Sequence, residues 1–329
     1  MTHKAKEAVF LLALILAACY GCAGKQGMLA PSSDYKEMLA VQQQKASAPA
    51  VKAQPLPPGF EATAETHEQF GDDYLRQGNE IAAFTEYEKS LQKDPLRTTA
   101  RYKTAMLFLS RGLPEDAIKE LEQILAREPQ NAAAHYGMAR VRFLQGRLDL
   151  AKSDLARALK LDERLWQAHT LIGVIRDGER HHSEAEEAYL KALAIQPNSA
   201  SVYNDLGVCR YLTGRFNEAA EAFLKAFTID PENKRICNNL GLALYRVGNA
   251  EDAVEAFTRG GGEAAAYNNI GYLQMKDKRY ESALAALQRA IEVNPVYYAR
   301  AQKNLEKVKV VLASYERRQK LVPRASEER

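Results

Sequence analysis

One alanine recurs along this chain at a fixed interval of 34 residues. Its six copies are Ala83, Ala117, Ala151, Ala185, Ala219 and Ala253. The interval does not drift from the first copy to the last. A fixed period of this length is typical of chains in which one supersecondary unit is copied and stacked on itself. The chain is therefore predicted to form an array of repeats in which each repeat contacts its neighbours, and not a domain built around one central core.

Each repeat has the parts of two short antiparallel helices. In residues 203–231 the small residues Gly207 and Ala219 allow two helix backbones to approach, Gly214 supplies the turn, and Pro231 ends the second helix. The turn and terminator positions recur along the chain. Turn glycines stand at Gly78, Gly112, Gly146, Gly214 and Gly248, are replaced by Arg180 and Lys278, and terminating prolines stand at Pro95, Pro129, Pro197 and Pro231.

This period and these positions resemble the tetratricopeptide repeat (TPR) family. The match covers residues 64–295 in seven copies. The resemblance implies an all-α fold, a right-handed α-solenoid of about seven helix hairpins whose first helices line a concave groove. Residues 296–320 keep helical apolar spacing and are expected to form a capping helix, with residues 321–329 as a polar tail.

The sixth repeat departs from the period. The interval from Ala253 to Ala283 is only 30 residues, and three glycines occupy positions 260–262. Because each glycine inside a helix costs about 1 kcal/mol relative to alanine, the second helix of this repeat is predicted to be shortened. Two interpretations stay open, a tolerated deletion in a surface turn and a hinge or partner-specific notch.

The N-terminus has the parts of a secretory signal peptide, assigned to residues 1–18. Lys4 and Lys6 precede an unbroken apolar run over residues 8–18, which is too short to span a bilayer. The run ends in Leu-Ala-Ala-Cys, which resembles a bacterial lipobox and implies lipidation of Cys19. The alternative is an ordinary signal peptide in which Cys19 is incidental.

The lipobox resemblance implies an outer-membrane lipoprotein facing the periplasm, because the residue after Cys19 is Tyr20 and not the aspartate associated with inner-membrane retention. Residues 19–62 are rich in Ala, Gln, Ser, Gly and Pro, and this composition predicts a flexible linker between the lipid and the repeats.

Composition and motifs argue against several functions. A formal net charge of +3 over 329 residues gives no reason to expect nucleic acid as a partner. The sequence shows no nucleophile paired with a base, no phosphate-binding loop and no cluster of metal-ligand residues. We therefore predict that the protein is not an enzyme and uses no cofactor and no small-molecule substrate. His181 and His182 are interpreted as a solvent-exposed turn pair without metal. Cys209 and Cys237 are interpreted as small buried hydrophobes.

The first helices of the repeats are where partner contacts are expected. In the TPR family the concave wall is formed by defined first-helix positions, and asparagines there can bond the backbone of an extended peptide while tyrosines hold its side chains. The alternative is that one asparagine of each pair bonds within the array. The candidate groove residues are Tyr102, Tyr136, Arg140, Asn204, Tyr211, Asn238, Asn239, Tyr245, Asn268, Asn269 and Tyr272.

The order of lipobox, linker and TPR array resembles the pilus-assembly lipoproteins, namely those of the TadD type in tight-adherence (Flp) pili and the pilotins of type IV pili. This resemblance implies a lipid-anchored scaffold that binds protein partners, with pilus or secretin components as the expected ones and the membrane contacted through the lipid. The alternative is an adaptor for peptidoglycan hydrolases or other envelope biogenesis proteins.

Overall fold

The computed structural model of the chain describes residues 61–294 and 299–321, which form fifteen α-helices and no strand. The predictions for the signal peptide, Cys19 and nearly all of the linker concern residues outside these ranges. The helices are α1 (Ala64–Arg76), α2 (Glu80–Lys93), α3 (Thr98–Ser110), α4 (Pro114–Arg127), α5 (Ala132–Leu144), α6 (Leu148–Leu161), α7 (Trp166–Gly178), α8 (His182–Ile195), α9 (Ala200–Leu212), α10 (Phe216–Ile229), α11 (Lys234–Arg246), α12 (Ala250–Gly261), α13 (Glu263–Lys276), α14 (Tyr280–Val293) and α15 (Ala299–Leu321).

The chain divides into two compact units, and the boundary falls inside α7, between Ala168 and His169. In unit 1 the hairpins α1–α2, α3–α4 and α5–α6 form, and α2 contacts α3 while α4 contacts α5. In unit 2 each helix from α8 to α15 contacts the next one along the chain. The prediction of an all-α solenoid of seven helix hairpins with a C-terminal capping helix is confirmed.

The recurring alanine lies in the interior of each hairpin. All seven copies, including Ala283 in the last hairpin, are completely buried. An alanine there lets the two helix backbones approach, because it has no side chain beyond Cβ. The sequence period is thus a consequence of how closely each second helix lies against its neighbours.

Gly207 on α9 shows how closely the two helices of a hairpin approach. A Cβ atom at this position would lie 2.6 Å from the ring of Phe223 on α10, a distance that atoms in real side chains do not reach. Phe223 is itself 2% exposed. The ring therefore occupies the space that any side chain at Gly207 would need.

Two turns keep the glycine conformation without a glycine. Arg180 has a φ of 67° and Lys278 a φ of 61°, close to the 74° and 80° of the turn glycines Gly78 and Gly214. A left-handed conformation costs a non-glycine residue roughly 1 kcal/mol or more. The hairpin geometry of these two repeats is therefore imposed by the contacts of their helices and not by the turn residue.

Asparagine side chains start four of the helices. Asn79 accepts a hydrogen bond from the backbone N–H of Ala82 at 3.1 Å, and Asn131 accepts one from Ala134 at 2.9 Å. Asn233 and Asn249 cap α11 and α12 in the same way. Each cap satisfies an amide that has no partner inside its own helix.

The second helix of the sixth repeat has 12 residues, whereas the corresponding helix α10 of the fifth repeat has 14. It ends at Gly261, and α13 begins at Glu263. Gly262 between them has a φ of 85°, in the left-handed region. One glycine thus makes the whole connection between the sixth and seventh hairpins.

The last helix, α15, covers the end of the seventh hairpin. Its apolar residues Leu305 and Val308 are buried against Ala283 and Leu287 of α14. Among the described helices, none combines the length and the apolar character that crossing a membrane requires.

Candidate functional site

Unit 1 brings two of the predicted tyrosines and the predicted arginine to the first helices α3 and α5. The guanidinium of Arg140 donates a hydrogen bond to the sulfur of Met106 at 3.1 Å. Tyr102 and Tyr136 are half-buried, and burial raises the pKa of both phenols while the positive charge of Arg140 opposes the shift. Both phenols are therefore neutral at physiological pH and can donate a hydrogen bond to a partner.

A group of charged residues at the first-helix positions of unit 1 was not predicted. The carboxylate of Glu68, which is 6% exposed, accepts from the ammonium of Lys103 at 2.6 Å and from the hydroxyl of Thr99 at 2.8 Å, and it also pairs with Arg97. Lys103 bonds Asp72 as well, at 2.7 Å. Each of these carboxylates is paired with a positively charged side chain of the same group. The ion pairs therefore join the first two hairpins and leave no unpaired charge in the group for a partner.

The structure places two of the five predicted groove asparagines, Asn204 and Asn268, in the interior of unit 2. Asn204 is 1% exposed, and its Oδ1 accepts from the amide of Asn239 at 2.8 Å. Its own amide group donates to Asp205 at 3.3 Å. Asn268 is 4% exposed and accepts at 3.2 Å from Asn304 of α15. The Asn204–Asn239 bond joins α9 to α11, the first helices of the fifth and sixth hairpins, and the Asn268–Asn304 bond joins α13 to the capping helix α15. These two enclosed amides thus bond within the array, and peptide binding by the groove asparagines stays a prediction.

The other three predicted asparagines, Asn238, Asn239 and Asn269, are half-buried. Asn238 lies against Gly260 of the shortened helix, where a Cβ atom would be 2.7 Å from its Oδ1. A glycine at position 260 therefore makes room for the Asn238 side chain. Asn269 is half-buried on α13. None of the three is fully enclosed, so each keeps part of its surface for a partner.

Tyr211, Tyr245 and Arg246 meet in one polar network on unit 2. The guanidinium of Arg246 donates to the hydroxyl of Tyr211 at 3.3 Å and to the carboxylate of Asp277 at 2.9 Å. The hydroxyl of Tyr245 donates to Asp277 at 2.7 Å and accepts from Arg279. We name these five residues the tyrosine–arginine surface.

The electrostatics of this surface are dominated by two guanidiniums. The guanidinium of Arg246 lies 5.9 Å from the ring centroid of Tyr245, and that of Arg279 lies 5.5 Å from it. Burial alone would raise the pKa of the Asp277 carboxyl, but the hydrogen bond from Tyr245 and the charge of Arg246 outweigh it and lower the pKa. One carboxylate thus faces two guanidiniums, which leaves an excess positive charge beside two aromatic rings.

Sequence reasoning found Tyr211 and Tyr245 but missed Asp277 and Arg279. Both missed residues lie beside the turn between α13 and α14, one repeat further along the chain. A turn position is not among the first-helix positions that the family resemblance indicates. The last predicted residue, Tyr272, is half-buried on α13 with the ammonium of Lys276 at 6.0 Å from its ring centroid.

Asp205 on α9 is a half-buried acidic residue next to Asn204, from whose amide it accepts a hydrogen bond. Burial raises its pKa to about 6, and the nearby charge of Arg235 opposes this shift. The carboxyl therefore ionises only above the range usual for aspartate.

The two histidines of the fourth hairpin differ in environment. His181 is exposed, but His182 is half-buried and its Nδ1 lies 2.8 Å from Oδ1 of Asp177. The interpretation of both as a solvent-exposed pair is therefore wrong for His182. The buried thiol of Cys209 donates to the backbone carbonyl of His182 at 3.3 Å. Cys237 is also buried, and neither cysteine forms a disulfide.

Comparison with protein families identifies the repeats. Five family models described as tetratricopeptide repeat or TPR repeat match residues 102–168, 167–199, 188–221, 209–248 and 264–297. Together they cover most of the predicted array. No curated protein sequence matches the chain.

Solved structures with a similar fold come from several TPR proteins. A structure of PilF from Pseudomonas aeruginosa is 20% identical with a TM-score of 0.51 and covers 65% of this chain and 96% of its own. A TPR protein of Thermus thermophilus is 22% identical with a TM-score of 0.51, covering 56% and 100%. A chain of the Cut9–Hcn1 hetero-tetramer of APC/C is 16% identical with a TM-score of 0.58, covering 86% and 54%. These similarities show the fold.

Proposed function

The chain is a tetratricopeptide repeat protein, and from this premise we propose that it is a lipid-anchored scaffold that binds protein partners during assembly of a pilus or secretin machine at the bacterial outer membrane. TPR arrays act as protein–protein interaction scaffolds, and the described residues contain nothing that points to catalysis. The proposal adds a location and a kind of partner to this general role.

The single structural observation that carries partner binding is the tyrosine–arginine surface. Arg246, Asp277 and Arg279 are exposed there, beside the rings of Tyr211 and Tyr245. Tyrosine and arginine are, together with tryptophan, the residue types enriched in the energetically dominant parts of protein interfaces. With two guanidiniums against one carboxylate, the surface is suited to a partner segment that carries acidic and aromatic side chains.

The location is supported by the sequence Leu-Ala-Ala-Cys at positions 16–19. An acylated Cys19 would hold the array at a membrane, and residues 19–62 would let it stand away from the lipid. The pilus-related part of the proposal is in keeping with the structural similarity to PilF, which by itself extends only to the fold.

The anchor is tested by labelling cells with a palmitate analogue. The wild-type protein is expected to carry the label and to fractionate with outer membranes, and Cys19→Ala is expected to lose both properties. Cys22→Ala is the matched control, because it removes a cysteine three residues away. Equal labelling of wild-type and Cys19→Ala protein would disprove the lipoprotein assignment.

The partner surface is tested by co-purification of secretin and pilus components from solubilised envelopes. The double variant Tyr211→Ala, Arg246→Ala is expected to lose them, since it removes a ring and a guanidinium from the surface. Tyr203→Ala is the matched control on the same helix, because Tyr203 lies against Lys225 of α10. Recovery of the same components by the double variant, with circular dichroism unchanged, would refute the assignment of this surface.

A further inference from the structure

Three side chains with metal-binding atoms converge in unit 2, at the junction of the fourth and fifth repeats. They are Asp177 at the end of α7, His182 at the start of α8 and Cys209 on α9. One ligand atom from each lies within 4.8 Å of the other two. We propose that these three residues form a binding site for a single Zn²⁺ ion, which joins the two repeats.

The distances suit such an ion. Zinc bonds of about 2.0–2.3 Å in a tetrahedral arrangement place the ligand atoms about 3.3–3.6 Å apart. Nδ1 of His182 and Oδ1 of Asp177 are 2.8 Å apart and joined by a hydrogen bond, so their separation needs to grow by only about half an ångström for both to bind the ion. The thiol of Cys209 already points to this corner, where it donates to the backbone carbonyl of His182.

The donor types select the class of metal. A thiolate, an imidazole and a carboxylate are together a borderline-soft set that suits Zn²⁺ and similar transition-metal ions, whereas Mg²⁺ and Ca²⁺ prefer oxygen ligands alone. Binding of Zn²⁺ displaces the proton of the Cys209 thiol to solvent. With Cys209 and Asp177 then both negatively charged, the complex of the three ligands with Zn²⁺ is neutral. The fourth position of the tetrahedron would be filled by water, since His182 retains 21% of its side-chain exposure.

A second layer of contacts holds the ligands in place. The hydroxyl of Tyr189, which is 2% exposed, donates to Oδ2 of Asp177 at 3.1 Å and leaves Oδ1 directed at His182. Hydrogen bonds of this kind orient ligands in known metal sites. The nearby acidic residue Glu186 is paired with Arg210 at 2.9 Å and with Arg215 at 2.5 Å, so it does not compete as a ligand.

The three residues break the apolar pattern of the array. Each stands where the preceding and following repeats have an apolar or aromatic residue. The pairs at the same positions 34 residues before and after are Phe143 and Tyr211 for Asp177, Leu148 and Phe216 for His182, and Ile175 and Ala243 for Cys209. Polar groups placed against the local pattern at three converging positions indicate a function for them as a group.

Cobalt spectroscopy tests this site directly. The full-length protein is stripped of metal with a chelator, kept reduced with a phosphine, and titrated with Co²⁺. One ion per chain is expected, with a thiolate-to-cobalt charge-transfer band in the near ultraviolet and the visible bands of tetrahedral cobalt. Addition of Zn²⁺ is expected to abolish these bands and to raise the thermal unfolding midpoint, because the ion binds only the folded protein.

Single variants identify the ligands. Cys209→Ser is expected to lose the charge-transfer band, and His182→Gln and Asp177→Asn are expected to weaken cobalt binding at least tenfold. The matched controls are Cys237→Ser, a buried cysteine one repeat further on, Cys22→Ser, and His181→Gln, the exposed neighbour. All three controls are expected to bind Co²⁺ as the wild type does.

Several results would overturn the proposal. They are the absence of a thiolate band in the wild type, its persistence in Cys209→Ser, or its loss in a control variant. If Cys209→Ser does not fold, His182→Gln decides the matter, because this side chain is partly exposed and its replacement opens no enclosed cavity.

Discussion

Replacing Asn239 by alanine distinguishes an asparagine that supports the array from one that binds a partner. Its amide donates to Oδ1 of Asn204 at 2.8 Å, and Asn204 is 1% exposed. Without Asn239 this oxygen stays buried with no donor, which costs about 1–3 kcal/mol. We therefore expect Asn239→Ala to lower the free energy of unfolding by about 2 kcal/mol, which is a change of about 25-fold in the folding equilibrium.

The assay is urea unfolding followed by far-ultraviolet circular dichroism, with a matched control and a double-mutant cycle. Asn238→Ala, at the neighbouring half-buried position, is expected to cost about 0.5 kcal/mol or less. The double variant Asn204→Leu, Asn239→Ala should lose about 1 kcal/mol less than the sum of its two single variants, because it no longer contains the stranded oxygen. Strict additivity, with a loss below about 0.5 kcal/mol for Asn239→Ala, would refute this reasoning.

Three further predictions concern α9 and one turn. Gly207→Ala should lower the free energy of unfolding in urea by about 1–3 kcal/mol, because the added Cβ would lie 2.6 Å from the Phe223 ring. Alanine has the higher helix propensity, so a stabilised variant would show that the contact with Phe223 does not decide the outcome. Lys278→Gly should raise stability by about 0.5–1 kcal/mol by relieving the φ of 61°, and an unchanged or lower urea midpoint would speak against it. The raised pKa of Asp205, about 6, means that the folded protein binds this proton more tightly than the unfolded chain. The contribution of Asp205 to stability is therefore greatest below about pH 4 and declines as the pH rises through about 6. Asp205→Asn should flatten that decline, and an identical pH profile in the variant would show that another group causes it.

The hairpins were predictable because every signal for them is local and repeated. A completely buried alanine, a turn residue and a helix terminator each act within a few residues, and seven copies average out the departures. Even where Arg180 and Lys278 replace the turn glycine, the turn conformation is kept. The loss of the turn glycine in two repeats therefore did not prevent their prediction as helix hairpins.

The candidate site was predictable only in part. The first-helix positions directed attention to Tyr211 and Tyr245, which the structure places in one network with Arg246. They did not distinguish Asn238, which is half-buried, from Asn204, which is enclosed. Position within a repeat determines the face of the helix, but enclosure depends on the side chains of the next repeat, where Asn239 reaches back to Asn204.

By itself the sequence determined the repeat, its period and its helix pair, because backbone approach and turn geometry are set by residue size and conformational freedom within one hairpin. Only the tertiary structure decided which polar side chains meet. Asp177, His182 and Cys209 belong to three different helices, and Asn268 meets Asn304 across 36 residues of chain. Such encounters depend on the rotamers and contacts of two adjoining repeats, and no pattern within one repeat encodes them.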